Sequence, residues 1–199
     1  MVERATHASA DALERDIKVK IRDSWDAQRE RAIGDVGERC LGYEWMHSQC
    51  ARHYRRWSSI SSAAQLLASS LSTLLVAATS QSPNPESMTA CTILGSLSTV
   101  VTAAAKYADM DTTASMHENI ARAFSRLKSE IQVQTKTPRE DRMHAVDFYE
   151  KIHAQYNQTA DDGPSLPDWV IAGFKAKVER EQLNIALPDI ANGYWTSFR

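Results

Sequence analysis

Residues 58–85 read SSISSAAQLLASSLSTLLVAATSQSPNP and residues 87–105 read SMTACTILGSLSTVVTAAA, with only Glu86 between them. The first run holds 28 residues without a charge and the second 19, in a chain of which 24% is charged. A helix of about 20 residues covers the ~30 Å of a bilayer's hydrocarbon, so each run is long enough to cross. Ile60, Leu66, Leu67, Leu71, Leu74, Leu75 and Val76 supply the apolar content of the first run, among seven residues of serine and threonine between Ser59 and Thr73. Ile93, Leu94, Leu97, Val100 and Val101 supply that of the second, among Thr92, Ser96, Ser98, Thr99 and Thr102. Hydroxyls can bond the carbonyl one turn back, and small side chains let helices approach closely. The pattern therefore predicts an all-α chain built on an antiparallel transmembrane hairpin, with spans at about 58–80 and 88–105. Its helices would touch in the membrane through Ala64, Gln65, Ala68 and Gly95. The competing reading buries the same charge-free hairpin inside a soluble helical bundle.

The flanks set the expected orientation. Arg52, Arg55 and Arg56 precede the first run and Lys106 follows the second, whereas the turn between them carries one glutamate and no cation. Cations remain on the cytosolic side, so these four residues are the expected topology anchors, and both termini are expected in the cytosol.

Outward from the hairpin, glycine and proline divide the chain. Residues 8–32 read as a charged helix, with Gly34 and Gly37 ending it and a second helix starting near residue 36. Residues 1–35 are thus a charged N-terminal helical segment, 36–187 a two-span helical domain, and 188–199 a tail. Cytosolic helices are expected at about 106–133, 138–157 and 167–183. His117, Ile120, Phe124, Leu127 and Ile131 recur at steps of three and four, which marks one packing stripe. Thr137-Pro138-Arg139-Glu140 has the signature of a helix start, with threonine as N-cap and proline as first helical residue.

Composition narrows the function. A net charge of −2 and a pI near 6.3 speak against a nucleic-acid binder. Cys40, Cys50 and Cys91 are an odd number at irregular spacing, unlike a disulfide framework. No phosphate loop, nucleophile elbow or HExxH occurs. His47, Cys50 and His53 sit at helical neighbour spacing, but 47 and 53 diverge to either side of 50, so convergence of metal ligands is not expected. The chain is expected to be non-enzymatic, with no catalytic residue, no cofactor, no metal and no small-molecule substrate.

Three stretches carry a family resemblance: Arg52-His53-Tyr54-Arg55-Arg56-Trp57 before a Ser/Leu-rich run, Lys106-Tyr107 through His117-Glu118 to Phe124-Ser125-Arg126-Leu127-Lys128-Ser129-Glu130-Ile131, and Ser165-Leu166-Pro167-Asp168-Trp169-Val170. Over about residues 40–180 the chain resembles the SLATT superfamily of two-transmembrane effector domains. That resemblance implies an oligomeric effector that forms pores or perturbs the lipid bilayer. Two other readings stay open. One is a membrane-anchored structural protein tethering a membrane to a protein lattice, such as a minor capsid or inner-membrane protein in the virion of a large DNA virus. The other is a soluble helical interaction module. Under the first two the partners would be the bilayer and either a homo-oligomer or a larger assembly.

Overall fold

The computed structural model describes residues 2–79, 85, 88, 89, 92, 93, 95–97, 99, 100, 102 and 109–191. Among them every regular element is helical: α1 Val2–Ser24, α2 Ala27–Thr79, α3 Met110–Lys136, α4 Ala145–Asp161 and α5 Asp168–Arg180, with 3-10 turns at Arg139–Asp141 and Asp189–Ala191. The described residues from 85 to 102 are helical too. The chain divides into two compact units, 1–48 with 119–199, and 49–118.

The expected break at Gly34 and Gly37 does not occur. The chain breaks at Trp25–Asp26 instead, where the Asp26 carboxylate accepts the Arg29 N–H at 2.7 Å and caps α2. That bond, foremost, holds the Asp26 carboxyl below its usual range. Gly37 stays within α2 and faces Ile131, where a Cβ would come within 3.4 Å of the isoleucine side chain.

The core of the first unit is a seam between α2 and α3, closed by α4 and α5. Ile33, Val36, Cys40, Tyr43 and Met46 of α2 are buried, as are Phe124, Leu127 and Ile131 of α3, Phe148, Ile152 and Tyr156 of α4, and Val170 and Phe174 of α5. The Tyr43 and Phe124 rings stack at 4.8 Å with 10° between their planes, and the Tyr156 ring meets both edge-on at 5.9 and 6.0 Å. Offset stacking and edge contact are the arrangements that aromatic quadrupoles favour.

The predicted proline-led helix from Thr137 is a second difference. The Thr137 hydroxyl donates back to the Val133 carbonyl at 2.9 Å, so it closes α3 instead of capping a new helix. After one 3-10 turn, Arg142 is extended and buried, and α4 begins only at Ala145. Arg142 donates to the Thr135 and Thr137 carbonyls at 2.7 and 2.8 Å and to Glu30 at 2.7 Å, and its guanidinium lies 4.7 Å over the Trp25 ring. Placing that charge inside is possible only because each of these acceptors is met, and meeting them breaks the helix.

In the second unit, α2 contributes residues from 49 onward and α3 those up to 118. Cys50, Ala51, Ala114 and His117 are buried. The Tyr54 and His117 rings stack at 5.7 Å, and Arg55 pairs with Glu118.

The transmembrane hairpin is overturned. Among the described residues no helix is long and apolar enough to cross a membrane. With it go the two-pass architecture and the multi-pass membrane location with both termini cytosolic. Length is not what fails, since α2 has 53 residues. Apolarity fails: nine of the 22 residues from 58 to 79 are serine or threonine. Their hydroxyls do bond back to their own helix, as Ser70 does to the Leu66 carbonyl at 2.7 Å and Thr73 to that of Ser69 at 2.9 Å. Satisfying a hydroxyl in this way makes it tolerable in a helix without making it apolar. Much of the second expected span, with Lys106, falls outside the described residues.

Truncating Phe124 to Ala should cost about 3–5 kcal/mol, read as a lower urea midpoint. Glu30 supplies a pH dependence. Hydrogen bonds from Arg139, then from Arg142, hold its carboxyl below the usual value of 4.5. Its contribution is present above that unfolded value and is lost as pH falls through the lower folded one. The stability gap between wild type and Glu30→Gln should therefore narrow on acidification; a gap constant from pH 7 to 2 would contradict the assignment.

Candidate interaction surface

The second unit shows an inverted distribution of polarity along α2. Ser58, Ser61, Gln65, Ala68 and Ser72 recur at steps of three and four, and these small or polar residues are the half-buried ones. Ile60, Ala64, Leu67, Leu71 and Leu74 recur at the same steps on another face and are exposed. Leu67 is 72% and Leu74 67% exposed, and Trp57 extends the line toward the basic cluster. The described part of residues 88–102 repeats the pattern: Ile93, Leu97 and Val100 are exposed, whereas Gly95 and Thr102 are half-buried. A helix on a globular core normally turns its leucines inward. Here the half-buried face is polar, and the exposed surface carries a line of leucines beside the hydroxyls of Ser59, Ser62, Ser69, Ser70 and Thr73.

The proposed helix-contact residues fall on both faces. Gln65, Ala68 and Gly95 are half-buried, and Gln65 bonds Ser61 at 3.5 Å, whereas Ala64 belongs to the outward line. A Cβ on Gly95 would meet nothing within 4 Å in the single chain. Without spans, Arg52, Arg55 and Arg56 are not topology anchors. All three are exposed at the start of the charge-free stretch, with Arg55 held by Glu118. On α3, His117, Phe124, Leu127 and Ile131 are buried and Ile120 is half-buried.

Metal-ligating, nucleophilic and cleft-lining side chains can each be placed among the described residues. No group of three His, Cys, Asp or Glu side chains converges as a metal site there. Burial pushes the Cys40 thiol up to about 12 and that of Cys50 to about 11, which leaves both protonated and unreactive near neutrality. A small cleft of about 230 Å³ borders Ser58, Ser61, Ser62, Gln65, Asp109, Met110 and Asp111. It places carboxylates and hydroxyls beside one another with no nucleophile–base pair among their hydrogen bonds.

Sequence reading located the charge-free stretch but missed the inversion. The signal was present, because Ile60, Leu67, Leu71 and Leu74 are in phase with one another and out of phase with Ser58, Ser61 and Ser72. No family model, no curated protein and no solved structure matches this chain.

Burial lowers the pKa of His117 below 6.5. The folded chain therefore favours the neutral imidazole. Stability should rise with pH between the depressed folded value and 6.5, and be independent of this group above it. An NMR titration of the imidazole should give a midpoint under 6.5, and His117→Gln should flatten that part of the stability profile.

Proposed function

We propose that this protein is a non-catalytic helical interaction module that self-associates through the leucine line of α2. The observation that carries this reading is the outward placement of Ile60, Leu67, Leu71 and Leu74 on a different face of α2 from the half-buried Ser58, Ser61, Gln65 and Ser72. Contiguous apolar surface of this kind marks an interaction site in most proteins that keep it.

Three features favour a second copy of the chain as the partner. Steps of four and three are those of helix-on-helix packing with knobs in holes, in which a helix of the same spacing is complementary. Residues 58–79 contain no charge, so two copies meet without like-charge contacts. Arg52, Arg55 and Arg56 lie together at one end, so antiparallel pairing sets the two basic clusters far apart.

Light scattering during size exclusion tests this reading. Wild type should run as an oligomer, and Leu67→Glu with Leu71→Glu should run at the 22.2 kDa of one chain with unchanged helical circular dichroism. The association should weaken at least about a hundredfold, because each buried leucine contributes about 1.5–3 kcal/mol. A wild type that stays monomeric up to about 1 mM, where even millimolar affinities register, would overturn it.

A further inference from the structure

The C-terminal end of α1 rests on the 3-10 turn Arg139–Asp141 and on α4, all within the first unit. Two bonds fix it there. The Ser24 hydroxyl accepts the Ala145 N–H at 3.1 Å, and the buried Trp25 indole donates to the Met143 carbonyl at 2.9 Å. Ser24 is buried and Ile21 half-buried. One and two turns earlier, the same helix face carries Ile17 and Leu13, which are 47% and 62% exposed. Leu13, Ile17 and Ile21 follow one another at steps of four, so they form one stripe. Its end meets the chain's own core, and its middle is open.

The charges beside this stripe run in a fixed order. On one flank Glu14 pairs with Lys18 at 3.0 Å, and on the other Asp16 pairs with Lys20 at 2.9 Å. Each flank thus presents an acid and, one turn later, a base. That order suits pairing within the helix itself. It also dictates what can lie against the stripe. A second α1 running parallel would meet this one flank to opposite flank, which sets Glu14 beside Asp16 and Lys18 beside Lys20. A second α1 running antiparallel meets it on the same flank in reverse order. Centred near Ile17, that arrangement sets Leu13 against Ile21 of the copy, Glu14 against its Lys18, and Asp16 against its Lys20. Apolar and charged groups are then complementary together, and the parallel alternative is penalised by like charges.

We infer that α1 is a self-recognition helix whose partner is α1 of a second copy, laid antiparallel across Leu13 and Ile17. This contact does not rest on the leucine line of α2, which lies in the other unit. A chain with two separate two-fold contacts builds beyond a dimer, because each copy bridges two others. Three aliphatic side chains per copy make a small interface, so the pairing forms above the roughly 10 µM to which size exclusion dilutes a sample.

Sedimentation equilibrium on the full chain carrying Leu67→Glu and Leu71→Glu isolates this contact. That chain should be monomeric near about 10 µM and mostly dimeric near about 1 mM. Adding Ile17→Glu should weaken the dimer at least about tenfold. Charge reversal gives a second measurement, made on exposed side chains only. Lys18→Glu with Lys20→Glu, and separately Glu14→Lys with Asp16→Lys, should each weaken self-pairing by a similar factor, and an equimolar mixture of the two variants should restore it. A chain that stays monomeric at about 1 mM would overturn the inference. So would a dimer left unchanged by Ile17→Glu or by the charge reversals, or a mixture that pairs no better than its components. Because the leucine line is already removed, failure here leaves the α2 association untouched.

Discussion

The stack of Tyr43 on Phe124 is the contact around which the first unit is organised. It joins α2 to α3 at the middle of their shared seam, and Tyr156 then fixes α4 against both rings. The phenol of Tyr43 also meets the backbone of Ile190, so the same residue links the helical core to the C-terminal strap. Flat rings bury a large area with few torsions to freeze, which suits a position shared by several elements. At the far end of the unit, Arg142 does comparable work with charge, drawing the end of α3 and the start of α2 to one guanidinium.

The second unit follows a different rule. Ser58, Ser61, Gln65, Ala68 and Ser72 form the half-buried face of α2, while Ile60, Leu67, Leu71 and Leu74 stand exposed. Dispersion and hydrophobic gain are thus left unrealised within a single chain, and they become available to whatever covers that face. Four large aliphatic side chains held outward at helical spacing are the feature on which the proposed self-association rests. The high serine and threonine content that disqualifies α2 as a spanning helix is what makes this inversion possible.

Much of the element order was legible. The 3.6-residue period located α3 and the residues of its inward face, because Phe124, Leu127 and Ile131 fall on one side whatever they pack against. The breaks were less legible. Gly34 and Gly37 looked like terminators, yet glycine inside a helix costs only about 1 kcal/mol, too little to break a helix of this length. Asp26 as N-cap was overlooked because its bond to the Arg29 amide has no echo in hydrophobic periodicity. Thr137-Pro138 carried a correct capping sequence whose effect was outweighed by the buried demands of Arg142.

Sequence alone determined the helical class, the charge-free stretch from residue 58 and the phase of each apolar line, since these depend only on composition and on the fixed geometry of the α-helix. Tertiary structure decided which face of α2 turns outward, where Arg142 breaks the chain and how residues 186–190 seat over Gly42. Those outcomes depend on partners distant in the chain: Glu30 lies 112 residues from Arg142, and Glu38 148 from Ala186. A local pattern reports which side chains share a face, but the identity of what meets that face is a property of the assembled core.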